Sequence, residues 1–265
     1  MQPFLLAVNC FLCFDVLISS KCIYLVGEAM IGYIFWGLGI IATILFLTKR
    51  TAIVTTDVVA VKSLASMGFI LSGVFFFVTN NNCTDWLGAF TVGGACFGML
   101  GDIVLDLKYT KLGDSDRCTK LGFWAFLIGH IFYSVAMVSA YKFGLINIVC
   151  VVIGIVSGIV IAILTEKIVK LNYGKFKAIT ILYTAVLCMT LGFAGGFALS
   201  EKYSMHTLLL NIGFVLFVLS DAFLAKLYFS DNEKDRTSRV SIVLNHAAYY
   251  AAQYIIALSL AFYRG

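Results

Sequence analysis

The sequence predicts an all-α fold, a polytopic bundle of transmembrane helices with little chain left outside the bilayer. Three observations carry this. Hydrophobic residues fill 61% of the 265 positions and charged residues only 12%, about half the charged share of a soluble domain. The apolar residues fall into nine runs between short charged loops, and a hydrocarbon core about 30 Å thick is crossed by about 20 such residues in a helix. The lysines and arginines gather in alternate loops. So little chain remains outside the runs that a separate soluble catalytic domain is excluded. Any chemistry has to come from side chains within the helices.

The first run, 4–20, holds Asn9 and Asp15, with no Lys or Arg before Lys21. Lacking a basic start and a small-residue cleavage site, it reads as a retained helix rather than a cleaved signal. Runs 29–47 and 58–78 follow, the latter with Lys62 near its start. Run 87–107 carries Asp102, and also Asp106, which reads as solvated near the interface. Run 121–140 contains His130, while 144–165 and 178–199 carry no charge. Run 206–229 opens on His206, read as an interface residue, and encloses Asp221. The last run, 241–262, contains His246, Tyr249, Tyr250 and Gln253. Short connections make consecutive helices antiparallel neighbours in one domain without linkers. The eight cysteines match no zinc or redox spacing, Cys10-x-x-Cys13 included, and read as small apolar packers.

Orientation follows from charge. The loops after runs 29–47, 87–107, 144–165 and 206–229 hold thirteen basic residues, from Lys49 and Arg50 to Arg239, against four on the other side. The positive-inside rule expects the first set in the cytoplasm and the C-terminus on the opposite side. The net charge of +5 comes mostly from these loop residues, so nucleic acid is not an indicated partner.

An ionised carboxylate in hydrocarbon is costly unless partnered. Asp102 and Asp221, with Lys62, His130 and Gln253 in other runs, therefore imply a polar pocket inside the bundle. Helical rise places Lys62, Asp102, His246 and Asp221 roughly 6 to 12 Å from the basic end, with His130, Tyr250 and Gln253 roughly 14 to 18 Å in. Facing agrees: His246, Tyr249 or Tyr250, and Gln253 share one helix stripe, and so do Phe126, Gly129, His130 and Tyr133. Gly98, Gly101, Asp102 and Leu105 form a third, whose small residues permit close helix approach. These groups are expected to share one partly hydrated chamber, with Asp102 and Asp221 facing each other. A pocket with phenolic and aromatic lining suits a ligand with an acyl chain and a polar head. For Asp102 and Lys62 an ion pair that merely fixes helix register is the alternative role.

At these positions the chain resembles the lysoplasmalogenase, or YhhN-like, family of membrane proteins. The matching pieces are Gly101-Asp102 with Leu105; Gly122, Phe126, His130 and Tyr133; Gly213, Phe217, Ser220 and Asp221; and Tyr249-Tyr250 with Gln253. Lys62 resembles the family's lysine near the start of an early helix, though Ser63 stands where the family commonly has proline. The resemblance implies an eight-helix domain over 29–265, with 1–28 as an extra N-terminal helix. It also implies hydrolysis of the vinyl ether bond of lysoplasmalogens, without cofactor or metal, on a lysophospholipid drawn from the membrane. Asp102 and Asp221 would be the catalytic pair; Lys62, His130, Tyr133, Ser220, Tyr249, Tyr250 and Gln253 would bind or orient substrate and water. Asp102 beside Lys62 is expected as the ionised partner and Asp221 as the acid, with the reverse assignment open. Two other readings stand beside this one: a metal-dependent lipid hydrolase using His130, His246 and the aspartates, and a proton- or cation-coupled transporter.

Overall fold

A computed structural model describes residues 30–109 and 114–264 of the chain. Run 4–20, with Asp15 and the Cys10-x-x-Cys13 pair, lies outside the described residues. Eight long helices are present among those described: α1 (Met30–Lys49), α2 (Thr56–Thr79), α3 (Asp85–Leu107), α4 (Ser115–Ala140), α5 (Leu145–Ile168), α6 (Lys177–Ser200), α7 (Met205–Phe229) and, after a five-residue α8 (Glu233–Thr237), α9 (Arg239–Ser259). Seven of them, α1 to α7, are long and apolar enough to cross a membrane, as expected of a multi-pass integral membrane protein. The eighth, α9, carries Asn245, His246, Tyr249, Tyr250 and Gln253, all buried. Its polar groups face protein rather than lipid, which is why its composition can be less apolar than that of the others. It packs on α7, α2 and α3.

The helix ends are held by local chemistry. Thr84, Ser204 and Ser238 cap α3, α7 and α9 by accepting backbone N–H bonds, and Asp114 caps α4 with two. The helix of Lys62 begins at Thr56, so Lys62 and Ser63 lie in its second turn, with Ser63 Oγ bonded to the Val59 carbonyl at 2.9 Å. His206, the second residue of α7, is buried against protein, with Nδ1 2.7 Å from the Ser259 carbonyl and its ring against Tyr141 and Tyr263.

The closest pairings are α5 with α6, α3 with α4, and α7 with α9. In the first, Gly154 and Gly158 of α5 lie directly on the α6 backbone. A Cβ on Gly158 would stand 2.5 Å from the Thr184 carbonyl oxygen and 2.8 Å from Ala185 Cα. Neither atom can swing aside. Gly158→Ala is therefore expected to push the two helices apart and destabilise the protein by about 1–3 kcal/mol. Thermal unfolding in detergent reads this directly, and an unchanged midpoint would contradict so close a crossing. Away from this seam, α5 exposes Leu145, Ile153, Val156 and Leu164, the apolar surface expected where a helix meets lipid.

Candidate active site

Four charges meet at the basic end of the bundle. Lys62, fully buried on α2, directs its ammonium at three oxygens: Asp102 Oδ1 at 2.7 Å, Asp106 Oδ2 at 2.7 Å and the Asp102 carbonyl at 2.9 Å. An ammonium has three N–H donors, so its capacity is filled. Arg50, just past α1, reaches Asp106 Oδ1 at 3.0 Å. Two cations and two carboxylates thus cancel inside the bundle, as buried charges must. Asp106 is therefore not solvated. It lies one helical turn beyond Asp102 on the same face and is buried to 3% exposure. Arg50, counted among the loop cations, is likewise buried, at 4% exposure.

Two side chains of α9 complete this centre. Arg50 Nε donates to His246 Nε2 at 3.3 Å. An acceptor Nε2 leaves the imidazole proton on Nδ1, which stands 3.9 Å from Asp102 Oδ1. The Tyr250 hydroxyl lies 3.0 Å from the Lys62 carbonyl, 3.0 Å from Ser66 Oγ and 3.5 Å from Asp102 Oδ2. The sequence-based expectation that Lys62, Asp102, His246 and Tyr250 converge agrees with the structure.

Deeper, the polar groups form a second, drier layer. Tyr133 donates to Gln253 Oε1 at 2.6 Å, and Gln253 Nε2 donates to the Tyr249 hydroxyl at 3.4 Å. Gly98 makes room for this amide, since a Cβ there would collide with Gln253 Nε2. His130 sits among the rings of Tyr133, Tyr183, Phe214 and Phe217, at 1% exposure, with neither ring nitrogen hydrogen-bonded among the described residues. Ser220 belongs to a helix–helix lock: Asn245 Nδ2 donates to its carbonyl at 2.9 Å and to its Oγ at 3.2 Å.

Asp221 makes no ion pair with the cluster among the described residues. Its Oδ2 accepts a hydrogen bond from the Tyr183 hydroxyl of α6. The two aspartates do not line one chamber. Asp102 lines a polar cavity of about 440 Å³ with Arg50, Asp106, Lys108, Arg236 and His246. Asp221 lines a mostly apolar cavity of about 230 Å³ between α4, α5, α6 and α7, with Tyr183, Phe123, Leu187 and Phe229. Leu224, one turn from Asp221, belongs to both linings. The expected single chamber is thus two, with Leu224 as shared wall. His130 and Tyr133 line neither of these two cavities.

The metal-dependent reading loses its ligand set: among the described residues no three His, Cys, Asp or Glu side chains converge in a way that would hold an ion. His130 faces aromatic rings, and His246 is engaged by Arg50. Sequence reasoning missed Tyr183 and Asn245 altogether and used Arg50 only as a charge for orientation. Asp106 carried a usable signal, its four-residue spacing from Asp102.

No curated protein and no solved structure matches this chain. The model of the YhhN family matches residues 60–260, a span that runs from just before Lys62 through Asp102, His130 and Asp221 to beyond Gln253, and the chain therefore belongs to the YhhN family.

Proposed function

We propose that this protein hydrolyses the vinyl ether bond of lysoplasmalogens, releasing a fatty aldehyde and glycerophosphocholine or glycerophosphoethanolamine. The observation that carries the reading is the pair of cavities meeting at Leu224, one polar with Asp102 and one apolar with Asp221. A single-chain lipid has a polar and an apolar half of the same kind. Its bond of interest lies where the halves join, and in this reading that junction sits beside Leu224.

The reaction needs a proton donor and an anion. The acid protonates the β-carbon of the vinyl ether, which leaves an oxocarbenium ion at the α-carbon. Water adds there while its proton passes to a carboxylate. The hemiacetal then collapses: its hydroxyl proton returns to the spent acid, its bond to the glycerol oxygen breaks, and that oxygen takes the proton the carboxylate had received from water, so both groups are restored and one water has been consumed. Asp221 is the acid in this scheme, because a mostly apolar lining, in which the Tyr183 hydroxyl donates to it, tolerates a neutral carboxyl better than an anion. Asp102, fixed beside Lys62 and near His246 Nδ1, is the anion that stabilises the cation and receives the proton from water. The division of labour parallels that between glycosidase carboxylates. Tyr250, Gln253, Tyr249 and Tyr133 shape the wall behind Asp102, Lys62 holds it, and His130 and Ser220 keep α4 and α7 in place around it.

Incubating the purified protein with a panel of lysolipids tests this. Aldehyde is expected from vinyl ether lysolipids and from no ester lysolipid; absence of aldehyde from every vinyl ether would end the proposal. A second expectation concerns the shared wall. Leu224→Trp should block the junction and lower turnover about 100-fold, as misplacement of reacting groups does. Leu224 is half-buried, so the thermal midpoint should hardly move. Full turnover in that variant would mean that substrate does not pass Leu224.

A further inference from the structure

The polar cavity runs from the buried ion cluster to an exposed rim built by α8 and the end of α3. Inside, Arg50 and Lys62 are matched by Asp106 and Asp102. At the rim stand two more cations, Lys108 and Arg236, and one acid, Glu233. Among the described residues neither rim cation is ion-paired. The rim therefore keeps a net positive charge facing a cavity of about 440 Å³.

Lys108 is held by aromatic rings, and Arg236 is carried by an anchored helix. Lys108 follows directly on α3, with its ammonium over the Tyr228 ring and 4.6 Å from the centre of the Tyr109 ring. Tyr228 is itself anchored by a 3.2 Å bond from its hydroxyl to the Leu105 carbonyl. Arg236 is carried by α8, which Asp235 fastens to the end of α7 through Lys226 at 3.0 Å and Ser230 at 3.0 Å. Burial, followed by repulsion from Arg236 and Arg50 against the pull of Asp106, brings Lys108 down to about 7. Two cations that repel each other against a single acid at the same rim leave a net positive charge suited to an anion from outside.

We infer that Lys108 and Arg236 form a phosphate subsite at the rim of the polar cavity, and that it takes the phosphodiester of a single-chain lipid headgroup. The phosphate chemistry follows from the rim itself; that the phosphate comes attached to a lipid chain rests on the proposed function. Because the protonated Lys108 is the binding form, affinity should fall as the pH rises through about 7. The groups facing this amine are Asp106, Arg50, Arg236 and the Tyr109 and Tyr228 rings.

The test is competition for a fluorescent lysolipid bound to the full chain in detergent. An ester lysophosphatidylethanolamine is compared with a monoacylglycerol of the same chain length, so no catalysis is needed. The phospholipid should compete at least about tenfold better, the scale of one charge-assisted hydrogen bond. Arg236→Gln with Lys108→Gln should erase that preference, while Lys108→Arg keeps it. No preference in the wild type, or one that survives in the double variant, would overturn the subsite. Inorganic phosphate that competes as well as the phospholipid would assign it to a free anion and overturn the lipid assignment. A headgroup preference without aldehyde release would sink the proposed function and leave this subsite standing; aldehyde release without the preference would do the reverse.

Discussion

Asp221→Asn is expected to lower aldehyde release from lysoplasmalogen by about 10²- to 10⁴-fold, the usual yield of general acid catalysis. The substitution keeps the shape, and the asparagine oxygen still accepts the Tyr183 hydroxyl, so the fold should persist. What is lost is the only proton that the apolar cavity's carboxyl can deliver, since an amide does not protonate carbon. Tyr183→Phe separates acid from support. It removes the bond to Oδ2 but leaves the carboxyl, and should cost no more than about tenfold if Tyr183 merely positions the acid. Turnover of the asparagine variant near the wild-type value, with an unchanged thermal midpoint, would remove Asp221 from the chemistry. An inactive variant with a normal midpoint is the expected outcome.

The second large effect is on stability. Lys62→Met deletes an ammonium that serves three oxygens and leaves two buried carboxylates to share Arg50. Breaking a buried ion pair by removing one partner destabilises by about 3–5 kcal/mol, because the remaining charge stays out of water. Thermal unfolding in detergent should show a midpoint far below that of the wild type. Combining Lys62→Met with Asp106→Asn should recover part of the loss, since one orphaned charge disappears with its partner. A single variant as stable as the wild type would mean that water already reaches the cluster. Asp102→Asn should abolish activity as well, and because the same lysine holds Asp102 its thermal midpoint should fall too.

Much of the fold was legible because hydrophobic length is a strong signal. The run 206–229 became α7 (Met205–Phe229), and 87–107 became α3 (Asp85–Leu107). The start of α4 was placed at residue 121, whereas the helix begins at Ser115 with Asp116, Arg117 and Lys120 in its opening turns. Charge marks where water begins, which is not where a helix ends. The five-residue α8, which carries Arg236 to the cavity rim, is too short to announce itself. In the site, helical rise brought Lys62, Asp102 and His246 to one height, and the structure joins them. Height alone gave Asp221 the same chamber as Asp102, and there it failed. Rise per residue fixes depth along a helix but not direction around the bundle, so two acids at similar depth opened into different cavities. Asp106 was misjudged for a related reason. Nearness to a helix end was taken as exposure, but Arg50 folds back over that end and seals it.

That seal has a bearing on how the molecule is made. Arg50, Lys62, Asp102 and Asp106 all come from the stretch between the end of α1 and the end of α3. Any of these helices entering a bilayer singly would bring an unmatched charge with it. Together they are electrically balanced before α4 to α9 have been synthesised, so the early hairpins can settle as one neutral unit on which α7 and α9 subsequently dock.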